Sequence, residues 1–120
     1  MLYFSDEWQK VTITIYGDDN PITAEIKPMT VDQLIEITPY FKFTPNKTND
    51  AETFLFKLQK AVAPFIQNFV RNIDGIMIND KPVEAKQLGT ETYLAPLTVE
   101  LIKRSFNVAL IDKESEKNLQ

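Results

Sequence analysis

The sequence predicts a single α+β domain, and three observations carry that expectation. Alternating β-branched residues occupy the first quarter of the chain, a helical apolar stripe runs through its middle, and a second amphipathic stretch lies near its end. At 120 residues the chain suits one core, with 43% apolar and 25% charged residues in the ordinary globular range. The expected boundaries are a domain over residues 1–111 and a polar, flexible tail over 112–120.

From Trp8 to Tyr16, Val11, Ile13 and Ile15 alternate with Lys10, Thr12 and Thr14, which is strand periodicity. Gly17-Asp18-Asp19-Asn20-Pro21 supplies a turn, after which Ile22, Ala24 and Ile26 alternate with Thr23, Glu25 and Lys27. An antiparallel β-hairpin with one buried face follows. Pro28 ends the second strand. Thr30 is placed to cap a short helix, Gln33 to close a capping box and Met29 to staple onto Leu34. Leu34, Ile35 and Ile37 are expected to form its apolar face before Pro39 stops it.

After a polar loop, Asp50 can cap a longer helix. Ala51, Leu55, Leu58, Val62, Phe65 and Phe69 repeat at spacings of four and three, widened by Phe54, Ala61 and Ile66. A long central helix over Ala51–Val70, kinked at Pro64, is the expectation, with two shorter helices as the alternative. Ile76–Ile78 and Asn79-Asp80-Lys81-Pro82-Val83 suggest a small second hairpin, and Glu84–Leu88 one helical turn closed by Gly89. A C-terminal helix from about Pro96–Thr98 to Ile111 should bury Leu101, Ile102, Ser105, Phe106 and Ala109. The core should include Val11, Ile13, Ile15, Ile26, Leu34, Leu58, Val62, Phe65, Ile102 and Phe106.

The chain contains no His and no Cys, so the commonest general base, the commonest metal ligand and the best nucleophile are missing. None of its three serines lies in a Gly-flanked elbow, and three scattered glycines cannot make a phosphate loop. No enzyme activity, catalytic residue, cofactor or metal is expected. Asp18-Asp19-Asn20 and Asp74 with Asp80 lack the ligand spacing of a calcium loop and read as turn residues. A net charge of −4 without a basic cluster disfavours nucleic acid. No apolar stretch approaches bilayer length, and no basic N-region precedes an apolar run. Binding to another protein is the remaining class, with homo-oligomer formation open. Phe56, on the polar side of the central helix, and Tyr40, Phe41 and Phe43, after Pro39, are the candidate contact residues. For the Tyr40–Phe43 segment, a lid folded over the core is the competing assignment.

The order of elements, with the phrase Ile22-Thr23-Ala24-Glu25-Ile26-Lys27-Pro28-Met29-Thr30-Val31-Asp32-Gln33-Leu34 between hairpin and helix, resembles the tail assembly chaperones of long-tailed bacteriophages. The resemblance spans Val11 to about Ile111 and rests on pattern and order. It implies a non-enzymatic protein of the host bacterial cytoplasm that binds the tape-measure protein while tail-tube subunits assemble. A structural tail or baseplate component, or a small protein–protein adaptor, is the alternative. The resemblance also implies a longer, frameshifted product, for which Glu116-Lys117-Asn118 could supply the slippery codons.

Overall fold

A computed structural model describes residues 6–41 and 50–118, with side chains described for all of these except 41, 50–54 and 107–118. The N-terminal hairpin is present as strands β1 (Gln9–Ile13) and β2 (Ile22–Ile26), paired antiparallel with Ile13 opposite Ile22. β1 stops at Ile13, earlier than the alternation suggests. Gly17, at φ +104°, turns the chain, with its N–H donating to Thr14 O at 3.0 Å. Ile15 therefore lies in the turn and is exposed, not in the core as expected.

Helix α1 (Val31–Ile37) begins as the sequence requires. Gln33 N donates to Thr30 Oγ1, and Thr30 N donates to Gln33 Oε1, closing the capping box. Ile37 is buried and Leu34 half-buried, but Ile35 points outward with Val31, one turn away on the same face. At seven residues α1 offers the core only a narrow stripe, and Ile35 falls outside it. A 3₁₀ turn, Thr38–Phe41, follows.

The long kinked central helix is not formed. Helix α2 (Asp50–Val62) ends before Pro64, and a single helical turn, α3 (Ile66–Phe69), resumes after it. Proline has no N–H to give Lys60 and disfavours helical geometry at Ala63. The chain tightens instead, with Ala63 N donating to Lys60 O and Phe65 N to Val62 O. The apolar stripe survives this break, since Leu58, Val62, Ile66 and Phe69 are all fully buried.

Val70 then leaves helical geometry for strand β3 (Val70–Asp74), which pairs antiparallel with β2 and makes a three-stranded sheet of order β1-β2-β3. Arg71 lies opposite Glu25 and Asp74 opposite Thr23, so β3 carries one extra residue between those pairs. Asn72, at φ +54°, occupies this bulge. The second hairpin, β4 (Met77–Ile78) and β5 (Lys81–Pro82), turns through Asn79 and Asp80, both at positive φ, as a two-residue hairpin loop demands. A 3₁₀ segment, Ala85–Gly89, is capped at Glu84.

Helix α4 (Ala95–Asn118) packs on β1, β2 and α2, and its backbone continues past Ile111. It buries Leu97, Leu101 and Ile102, and Ser105 Oγ donates to Lys27 O at 2.7 Å. Phe106, expected in the core, is 45% exposed. Ser105 takes the sheet-facing position at that level, which turns Phe106 outward. Ala109 lies outside the described side chains. Sheet and helices enclose one core that also holds Ile13, Ile22, Ile26 and Val83.

Gln59 is a buried polar residue on α2 that the sequence gives no reason to single out. Its Nε2 donates to Leu88 O at 2.9 Å and to Glu91 O at 2.5 Å, tying α2 to the segment before α4. Leu88 O also accepts from Thr98 Oγ1 at 2.6 Å, and Glu91 O also accepts from Leu94 N at 3.0 Å. Gln59→Leu removes one of two donors from each carbonyl and strands neither, so it is expected to cost about 0.5–1.5 kcal/mol, the net worth of an ordinary hydrogen bond. Urea denaturation checks it. A midpoint within error of wild type would show that Thr98 and Leu94 satisfy the two carbonyls without the amide.

Candidate functional site

The candidate contact residues fare differently from one another. Phe56 projects from α2 and is 42% exposed, where helix phase placed it. Tyr40 is half-buried against the core, which fits the lid assignment. Phe41 closes the 3₁₀ turn by its backbone, its side chain lying outside the described ones, and Phe43 lies outside the described residues. The structure therefore leaves Phe56 as the one member of this set whose side chain is seen to be exposed.

The outer face of the sheet carries an organised row of charge. Lys10, Glu25 and Arg71 stand in one cross-strand row, and Arg71 Nε donates to Glu25 Oε1 at 3.2 Å. Asn72 Nδ2 also donates to Glu25 Oε1, so the bulge residue and the row share one carboxylate. The Asn72 hydrogen bond, aided by Arg71 and Lys10, holds the Glu25 carboxyl below its ordinary range despite some desolvation. A depressed carboxyl pKa contributes stability that is present above the unfolded value and is lost as pH falls through the folded one. That contribution is confined to acid. At neutral pH Glu25 is an ionised strand clamp, unsuited to proton donation.

Trp8 is flanked by two cations, with Arg71 Cζ 4.2 Å and Lys27 Nζ 5.0 Å from its ring centre. Beside it lies an open cleft of about 440 Å³, lined by Trp8, Lys27, Thr30, Gln33, Gln67 and Asn68 among others. Its Thr30 and Gln33 side chains are already engaged in the α1 capping box. The cleft holds no carboxylate, and no group of His, Cys, Asp or Glu able to hold a metal occurs among the described residues.

Several exposed apolar side chains escaped the sequence reading. Val31 and Ile35 are 71% and 62% exposed on α1. Tyr16 and Met77 meet in a groove at one end of the sheet, although 61 positions separate them. Partial burial there raises the Tyr16 phenol above its usual pKa. Amphipathic phase could have flagged Val31 and Ile35. No local signal could have paired Tyr16 with Met77, because their meeting depends on β3 lying beside β2.

These features define an α+β domain with a three-stranded antiparallel sheet, helices against one face and several exposed apolar positions. Compared with known proteins, the chain matches no family model, no curated protein and no solved structure. Among the described residues no helix is long and apolar enough to cross a membrane.

Proposed function

We propose that this chain works by binding another protein, as a tail assembly chaperone of a long-tailed bacteriophage that engages the tape-measure protein during tail-tube assembly. The observation that carries the reading is the step from β2 through Lys27-Pro28-Met29-Thr30 into a capped helix, at the phrase on which the resemblance rests. The small hairpin and closing helix agree with the same order. The long central helix no longer supports it, since Pro64 divides that element. Exposed apolar side chains on α1 and α2 suit a protein that makes transient apolar contacts.

Two measurements test the proposal. Co-expression with the tape-measure protein of the same genome should yield a soluble complex, and mass spectrometry of purified particles should find this chain missing. Stoichiometric presence in particles would replace the chaperone with a structural tail component. Within the complex, Phe56→Ser is expected to weaken tape-measure capture about tenfold, equivalent to roughly 1.4 kcal/mol. Because Phe56 is already 42% exposed, folding stability should fall by no more than about 1 kcal/mol. Loss of the fold in this variant would assign Phe56 to the core.

A further inference from the structure

The groove between the β1–β2 turn and the β3–β4 connection has the composition of a recognition site. Tyr16, Asn20, Ile22, Gly75, Ile76 and Met77 line an open space of about 290 Å³. Met77 is 60% exposed and Tyr16 40%, and Ile15, beside Tyr16 in the same turn, is 44% exposed. Tyrosine and methionine are suited to such surfaces, the first as a rigid amphipathic anchor and the second as an adaptable apolar one.

The turn wall and the floor are held before any partner arrives. Asn20 N donates to Gly17 O at 3.1 Å and Asn20 Nδ2 to Tyr16 O at 3.3 Å, fixing the turn. The floor is a close backbone crossing, where Gly75 abuts Pro21 and Ile22 so tightly that a Cβ would lie 2.4 Å from Pro21 O. A preformed surface loses little ordering entropy on binding.

Charge identifies the occupant. Residues 14–24 and 72–80, the segments that build the groove, contain Asp18, Asp19, Asp74 and Asp80 and no Lys or Arg. Asp18 and Asp19 sit between two lining residues, and Asp74 immediately precedes a third. The neighbouring cations are engaged elsewhere or lie across a hairpin: Arg71 is held by Glu25, Arg104 donates to Thr12 O and pairs with Glu100, and Lys81 stands across the small hairpin from Ile78. An apolar groove with an acidic rim repels a second copy of itself and attracts a segment of opposite sign. We infer that this groove binds a basic amphipathic peptide segment of a protein partner, seating one apolar side chain against Tyr16 and Met77 while Lys or Arg residues face the aspartates. Phe56 is not among the lining residues, so this surface goes beyond the contact proposed above.

The test is a ¹⁵N-correlation titration of the full chain with synthetic amphipathic peptides. Each presents Leu, Phe or Trp on one face and Lys and Arg on the other, with a Glu-substituted counterpart of each as control. Saturable shifts confined to residues 15–22 and 74–78 are expected from the basic peptides and none from the controls. Met77→Ser, and separately Asp18→Asn combined with Asp19→Asn, should each weaken binding about tenfold, or roughly 1.4 kcal/mol. All three positions are exposed, so the variants should fold. No saturable shift from any basic peptide would overturn the inference, as would equal binding of the acidic controls. Groove shifts that grow with protein concentration alone would also overturn it, assigning the face to a second copy.

Discussion

Truncating Leu58 to alanine is expected to cost about 2–5 kcal/mol of folding stability, the range observed when a buried leucine leaves a cavity. Leu58 is fully buried on α2 and belongs to the cluster that includes Val62, Ile66, Leu101 and Ile102. Because α2 packs against α4, the void would open between helices that are themselves seated on the sheet, leaving little freedom to collapse. Small domains have only about 5–15 kcal/mol in total, so a large share would be lost. With a urea slope of about 1–3 kcal/mol per molar, the midpoint should fall by roughly 0.7–5 M. An unchanged midpoint would mean that the α2 stripe is not the core it forms here.

Leu58 was legible because helical spacing survives even where the helix does not. Its stripe predicts the burial of Val62, Ile66 and Phe69, and all three are buried. What the spacing hid was the change of element beyond Phe69. Val70 and Ile73 both face the core from β3, yet they are three residues apart, which imitates a helix and contradicts a regular strand. The bulge at Asn72 causes this, by inserting one residue between two inward positions. A period-based argument cannot see such an insertion until the partner strand is known.

The candidate site was legible in the same uneven way. Phe56 follows from helix phase alone. Ile15 and Phe106 were misplaced because each continues a valid pattern past the point where the backbone turns or a polar neighbour takes the inward position. Ser105 has that position in α4 because its hydroxyl satisfies Lys27 O, a contact between residues far apart in sequence. Gln59 was invisible for a similar reason. Its value lies in two carbonyls some thirty residues away.

Gly75→Ala should be among the most damaging single-methyl changes available, and the companion variant Gly17→Ala separates its two causes. Both glycines have positive φ, +96° for Gly75 and +104° for Gly17, where an L side chain is strained by about 1–2 kcal/mol. Around Gly17 nothing lies closer to a built Cβ than Asn20 Nδ2 at 4.0 Å, so only that strain should be felt. At Gly75 the Cβ would also stand 2.4 Å from Pro21 O and 3.3 Å from Ile22 Cα, both backbone atoms that no rotamer change can move. Overpacking of this kind adds about 1–3 kcal/mol, giving roughly 2–5 kcal/mol in all for Gly75→Ala. Gly75→Asn sharpens the comparison, because asparagine tolerates positive φ better than alanine but carries the same Cβ. It should remain nearly as unstable as the alanine variant. Chemical denaturation of the three proteins decides the matter: equal losses for Gly17→Ala and Gly75→Ala, or recovery in Gly75→Asn, would show that the crossing with Pro21 opens without cost. If the crossing holds as described, the surviving folded fraction of Gly75→Ala should also lose the Tyr16–Met77 groove, because relieving the clash must push the β1–β2 turn away from β3.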